Sequence, residues 1–516
     1  MVKKIKRAII SVSNKSGLEE LGKLLNENEV EIYSTGGTLK SLSDWNIPVK
    51  SIESYTKFPE ILDGRVKTLH PKIHGGILAR RSVDSHLESL KNHEILEFDL
   101  VCINLYPFEE VIQKSEFSFE EAIENIDIGG PSMIRAAAKN YEDVAVLTTP
   151  DQYPDFIKRF KENKGALSKE YRFELAVDAF NRTGEYDSII SEYLNKLQGD
   201  YYPQTMNLSL KKNQTLRYGE NPHQNAAFYS NSLTHNLPWK CFHGKELSYN
   251  NILDMDSALS LILNFSLPVC AIFKHTNPCG VSAGTDQVTN LKNAMKADPV
   301  SFFGGIFAFN TKIERATAEI MAQEFIEIII APDYAPEARE ILMRKKNVRL
   351  IELPDFNMLK RGQFEIKSSA FGFLIQESDR YLVTEKDLKV VSQKKPAQKD
   401  IEELLFAFHL VKNIKSNAVV FTNNKTTLGV GAGQMSRLDS IKIAIEKSRE
   451  FGISLKDSYL ASDAFFPFPD GVIKAIEAGA KAIIQPGGSI KDDEVIKAAD
   501  DAGVIMIFTG HRHFKH

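Results

Sequence analysis

Short runs of β-branched and apolar residues alternate with stretches of helical spacing through the first third of the chain. Residues 7–13 read as a buried parallel strand, because apolar side chains fall on both of its faces. Helical spacing follows at 18–26, then a short strand near 31–33 and a second helix. Further strands are predicted at 99–104 and 144–148, with Gly and Ser near the strand ends. This alternation predicts an open, doubly wound parallel sheet. Such sheets bind ligands beyond the carboxyl ends of their strands, where the polar loops lie. Residues 151–195 read as charged helix, and 196–212 as a polar, irregular linker. Two further αβ regions follow, at 213–365 and 366–516. The second carries a Lys-rich stretch at 392–399 that reads as a solvated loop. No short-period repeat is visible.

Composition narrows the class. The chain has 516 residues, 43% apolar and 26% charged, enough for several domains with ordinary cores. With 64 Lys and Arg against 68 Asp and Glu the net charge is −4, which argues against a protein that binds nucleic acid along its whole length. Four cysteines (Cys102, Cys241, Cys270, Cys279) fall without C-x-x-C pairing, so neither a disulfide scaffold nor a zinc ribbon is expected. The apolar run at 8–12 is too short for a signal peptide, and no run of about eighteen apolar residues could span a membrane. A cytoplasmic protein with reduced thiols is expected.

Several loops carry candidate chemistry. Ser11-Val12-Ser13-Asn14-Lys15 and Ser34-Thr35-Gly36-Gly37-Thr38 each join hydroxyls to a following helix, an arrangement that caps a helix and also suits a phosphate. Neither has Walker A spacing. From Arg65 through Lys67, Thr68, His70, Lys72 and His74 to Gly76, basic and imidazole groups follow one another with no carboxylate. An extended strip would put Arg65 and Lys67 on one face, placed to stabilise an oxyanion. His70 and His74 lack a nearby thiol or carboxylate to complete a metal site. Around Asp127-Ile128-Gly129-Gly130-Pro131-Ser132 a loop enters a helix bearing Arg135 and Lys139, so Asp127 and Lys139 are candidates for a base and an acid.

Later in the chain, Lys274 and His275 stand at the end of an apolar strand at 268–273. An ammonium beside an imidazole disfavours a second positive charge and favours a neutral ring that can take a proton. Pro278-Cys279 suggests the zinc-deaminase signature, but Ser282 occupies the place of its second cysteine. The glycines at 429, 431 and 433 fail the dinucleotide fingerprint, because Gln434 stands where the third glycine belongs. Phe465 and Phe466, among prolines, read as a shaped loop for a flat ring, and the basic tail 509–516 as frayed.

Long motifs then carry a resemblance. They are Ser34-Thr35-Gly36-Gly37-Thr38, the stretch from Gly64 to Gly76, Asn104-Leu105-Tyr106-Pro107-Phe108 and Asp127 to Ser132. In the second half they are Leu216 to Gln224, Lys274-His275-Thr276-Asn277-Pro278-Cys279-Gly280, Gly431-Ala432-Gly433-Gln434 and Ser462 to Pro467. Together they resemble the bifunctional purine-biosynthesis family that combines 5-aminoimidazole-4-carboxamide ribonucleotide (AICAR) formyltransferase with IMP cyclohydrolase. The departures are Asn14 and Ser16, where the family has Asp and Thr, and Phe302, where it has Ala. The resemblance implies a methylglyoxal-synthase-like α/β domain at 1–195, then two cytidine-deaminase-like αβ domains. It implies 10-formyltetrahydrofolate as co-substrate, no redox cofactor, no nucleic-acid or membrane partner, and a homodimer with transferase sites at the subunit interface. It also leaves room for a structural potassium ion.

For formyl transfer the resemblance implies His275 as base, Lys274 as oxyanion stabiliser or proton donor, and Asn417 orienting the carboxamide. Arg217, Tyr218, Gly304, Glu327, Arg437, Phe465, Phe466 and Arg512 would bind substrates. For ring closure it implies Lys67 as stabiliser, Asp127 with Lys139 handling protons, and Tyr106 assisting. Ser11, Ser13, Lys15, Ser34, Thr35, Gly36, Arg65 and Thr68 would hold the ribotide. A phospho-metabolite sensor and a zinc hydrolase are the rival readings from other classes.

Overall fold

The computed structural model describes residues 3–231, 233, 237–356 and 364–516. The chain divides into two compact units, Met1–Lys211 with Asn231–His235, and Lys212–Ser230 with Asn236–His516.

The first unit is built on five parallel strands. Their order across the sheet is Lys50–Ser51, Glu31–Ser34, Arg7–Ser11, Leu100–Ile103 and Ala145–Leu147. The chain winds outward from Arg7–Ser11 to one side, then crosses to Leu100–Ile103 on the other. The carboxyl ends of those two neighbouring strands therefore diverge and open a crevice. All four residues of Leu100–Ile103 are buried, as a parallel strand covered on both faces requires. A 29-residue helix, Lys169–Leu197, follows. The strip beginning at Arg65 is not extended throughout: Pro71–Leu78 is a helix. Its start has a local cause, since Pro71 fits the first helical turn and His70 Nδ1 accepts the Lys72 N–H at 3.1 Å. Asn14 Oδ1 accepts the Ser16 N–H at 2.9 Å, a bond that an aspartate would also make.

The second unit carries a twelve-stranded sheet made of two halves with one plan. In the first half the helix Tyr249–Ile262 leads to the hairpin Val269–Lys274/Asn277–Ala283, then the helix Gln287–Ala297. Three parallel strands follow, Ile306–Phe309, Ile328–Ala331 and Arg349–Glu352. In the second half Gln398–Val411 leads to Val419–Asn423/Thr426–Gly431, then Arg437–Glu450, then the parallel strands Ser458–Ser462, Ala480–Gln485 and Ile505–Phe508. The halves join edge to edge, with Ser282 opposite Thr426. One apolar core, with Leu261, Phe408 and Tyr459 in it, runs beneath both; on the opposite face each half has its own core. Gly280 and Gly429 let the hairpins approach the following helices: a Cβ there would stand 1.9 Å from the Ala294 carbonyl oxygen and 2.5 Å from that of Ala444.

Phe302 packs against Phe307, with ring centroids 6.4 Å apart, and lies with the first half's core. The basic tail is not frayed. His513 is buried with Nδ1 2.6 Å from Asp379 Oδ2, and the Lys515 and Ser416 main chains are bonded. No helix among the described residues is long and apolar enough to cross a membrane.

Candidate active sites

In the first unit a cavity of about 590 Å³ opens at the crevice between Arg7–Ser11 and Leu100–Ile103. Ser11, Ser13 and Lys15 line it from one strand end, Asn104 and Tyr106 from the other, with Thr35 and Gly36 beside them. Thr35 caps the helix Gly36–Asp44 without a side-chain bond, so amide N–H groups of the first turn lack a side-chain acceptor. The Lys15 ammonium lies over that turn, 3.9 Å from where a Cβ on Gly37 would stand. Positive dipole end and ammonium together favour an anion. Ser13 donates to the Leu105 carbonyl at 2.8 Å.

Lys67 and Thr68 enter the cavity from the loop before His70. The Lys67 ammonium is 3.1 Å from the Glu60 carboxylate. Its stem passes Gly64, whose φ of +92° favours glycine and where a Cβ would stand 2.6 Å from Lys67 Cε and displace the lysine. Arg65 lines the rim, ion-paired to Glu124. Asp127 lies at the foot of the helix Gly129–Lys139 and accepts the Gly130 N–H at 2.8 Å. Burial raises its carboxyl above the usual range, opposed by the Gly130 and Tyr106 N–H groups.

Two expected residues stand apart from this cavity. Ser34 is fully buried and its hydroxyl donates to the Ile10 carbonyl at 2.6 Å, so it ties two strands together. Lys139 is exposed at the far end of its helix and does not line the cavity. At 1.5 Å per residue it stands about 15 Å from the end beside Asp127, so the two do not face each other.

In the second unit a depression of about 250 Å³ lies where the two halves meet. Lys274, His275, Cys279 and Asp298 border it from the first half, Thr427 and Lys447 from the second. His275 and Thr276 form the two-residue tip of the first hairpin, with φ of +52° and +62°. Two-residue hairpins turn through left-handed residues, where Asn-Gly is the usual pair and a β-branched residue is unusual. The turn leaves His275 exposed at the edge of the depression. Lys274 Nζ donates to the Phe303 carbonyl at 2.8 Å, which leaves two of its protons for another acceptor. Burial alone would raise Asp298, but the Lys447 ammonium at 2.6 Å and the Ser301 N–H hold it below the usual carboxylate range. Burial pushes the Cys279 thiol up to about 12, which disfavours the thiolate.

The other expected transferase residues divide by exposure. Arg217 is exposed and stacks over Tyr218 at 4.8 Å. Arg512 is exposed over Phe514 at 4.5 Å. Phe465 is on the surface, whereas Phe466 is 1% exposed and belongs to the core, its N–H held by Gln485. Arg437 is likewise buried, donating to Asn417 at 2.9 Å and paired with the buried Asp463 at 3.1 Å. Asn417 donates to the Gln434 and Met435 carbonyls at 2.9 and 3.1 Å, so neither amide proton is free for a substrate. Glu327 accepts from Arg349 at 2.9 Å. Gly304 has φ of +70° and its N–H reaches the Phe325 carbonyl. Sequence reading missed Asp298 and Lys447, which come together only when the halves join. It also missed Glu60, set seven residues before its partner.

Comparison with known proteins identifies the family. Residues 17–132 match the MGS-like domain. Residues 137–447, more than half of the chain, match the AICARFT/IMPCHase bienzyme. The bifunctional purine biosynthesis protein PurH of Leptospira biflexa serovar Patoc, in two strains, is 48% identical over 512 residues, which is 99% of this chain and 99% of that protein. A crystal structure of ForH is 35% identical, with a TM-score of 0.34, over 39% of this chain and 100% of that one. The chain belongs to the AICARFT/IMPCHase bienzyme family, the bifunctional enzymes of purine biosynthesis.

Proposed function

We infer that the two activities of this bifunctional enzyme, AICAR formyl transfer and IMP ring closure, use separate sites in separate units. The observation that carries this reading is the presence of two chemically distinct sites: a crevice suited to an anion with Lys67 and Asp127, and a strained His275-Thr276 hairpin tip that exposes His275 beside Lys274. The domains follow as 1–195 for ring closure, 196–212 as linker, and 213–365 with 366–516 for transfer.

Formyl transfer uses 10-formyltetrahydrofolate as co-substrate. The accepting amine is a weak nucleophile, since its lone pair is delocalised into the imidazole and carboxamide. Rate must come from positioning and from proton removal timed to attack. His275 takes the amine proton as the nitrogen adds to the formyl carbon. Lys274, fixed by the Phe303 carbonyl, offers its remaining protons to the developing oxyanion. Collapse of that oxyanion breaks the bond from the formyl carbon to the folate nitrogen, which leaves with the proton returned by His275. The depression of about 250 Å³ is smaller than an ordinary ligand pocket. It fits the reacting end of the substrate, with Arg217, Arg512 and Phe465 on surfaces open to the rest. A second copy of the chain completes the site in this reading, which makes the enzyme a homodimer. Four free cysteines suit a reducing cytoplasm.

Ring closure places the ribotide phosphate on the Thr35–Gly36 helix start with Lys15, and the base toward Lys67. The carboxamide nitrogen attacks the formyl carbon, Lys67 stabilises the oxyanion, and Asp127 with Tyr106 manages the protons as water departs. A half-buried carboxyl with a raised pKa suits that exchange. In the full-length enzyme, Lys67→Met and Asp127→Asn should each abolish conversion of the formylated ribotide to IMP while formyl transfer continues. Persistent ring closure in both variants would refute this assignment.

A further inference from the structure

We propose that Asp254 is a positioning residue for formyl transfer: its carboxylate holds the His275-Thr276 tip in the left-handed conformation that presents the imidazole. The inference rests on the reading of His275 as the base. Asp254 lies on the helix Tyr249–Ile262 and does not line the depression, so its bonds to the turn are the route by which it bears on the site. Its Oδ1 accepts the Thr276 N–H at 2.6 Å, a charge-assisted bond to the less tolerant of the two left-handed residues. The backbone of His275 also bonds this carboxylate.

The duplicated half supports a bond aimed at the turn. Glu403 occupies the sixth position of the helix Gln398–Val411, as Asp254 does in Tyr249–Ile262, and its carboxylate accepts the Lys425 N–H at 3.0 Å. Lys425 is the second tip residue of the other hairpin, with φ of +50°. Both halves therefore fasten the same amide with an acid from the same helical position. Without that bond the β-branched Thr276, poorly suited to positive φ, would relax and carry the neighbouring imidazole out of register.

The test uses the full-length enzyme, with thermal melting and the KM for AICAR as the controls for folding of the second unit. Asp254→Ala should lower kcat for formyl transfer about 100-fold at unchanged KM, the loss expected for a displacement of about 1 Å. Asp254→Asn, which keeps an oxygen acceptor, should retain most of the rate. Adding Thr276→Gly to Asp254→Ala should restore the rate, because glycine adopts positive φ unaided. A wild-type rate in Asp254→Ala overturns the proposal. So does failure of both Asp254→Asn and the double variant, which would make the charge itself the essential feature. Failure of the base assignment is separate: it would show as formyl transfer surviving in His275→Ala.

Discussion

The hairpins Val269–Lys274/Asn277–Ala283 and Val419–Asn423/Thr426–Gly431 both turn through two left-handed residues fastened by an acid. In one the tip is His275-Thr276 and in the other Asn424-Lys425. Asn tolerates positive φ well, so the second tip is a comfortable turn. The first places a β-branched residue there, and the strain stands beside the depression rather than elsewhere in the sheet. Strain of about 1–3 kcal/mol persists only where the surroundings enforce it. The duplicated scaffold thus supplies the geometry twice, and one copy carries the imidazole.

Giving the first tip the most compatible turn makes the sharpest contrast. His275→Asn with Thr276→Gly should keep the fold and lower formyl transfer by about 10²- to 10⁴-fold, the usual contribution of a general base. Steady-state rates and thermal melting would report the two effects separately, and a retained rate would break the comparison. Next in size is the packing that both hairpins share. Gly280→Ala and Gly429→Ala should each cost about 1–3 kcal/mol, because the new methyl meets helix backbone in both halves. Denaturant melts that find only one of them destabilised would mean that the halves are not packed alike.

A smaller effect is expected where the halves join. Lys447→Met should destabilise by about 1–2 kcal/mol, less than for a fully buried pair because Lys447 is nearly half exposed while Asp298 is buried. The Asp298 pKa is lowered in the folded state, so the pair's contribution is complete at neutral pH and declines once pH falls below the ordinary aspartate value. It is lost as pH falls through the lowered value. A difference between wild type and Lys447→Met that persisted at strongly acid pH would contradict this. The smallest effect belongs to Asn424→Gly, within about 0.5 kcal/mol and with formyl transfer unchanged.

The loops of the first unit were legible because strand ends and helix starts leave local marks. Ser13, Thr35 and Asp127 stand where polar residues follow apolar runs, and their cavity is made by sheet topology acting on those ends. Lys139 misled because helical spacing reports a shared face and not distance along the axis. Arg437 and Phe466 misled because a charge or an aromatic ring in a loop sequence does not reveal how deeply that loop folds back into the core. The duplication left no sequence repeat: Asp254 matches Glu403 and His275 matches Asn424, so backbone shape persists where side chains do not.

The separation of the two chemistries is tested most directly by His275→Ala in the full-length enzyme, supplied in turn with AICAR plus 10-formyltetrahydrofolate and with the formylated ribotide. The account predicts formylation slowed by about 10²- to 10⁴-fold in the first and IMP at the wild-type rate from the second. Loss of both conversions in a folded variant would contradict it.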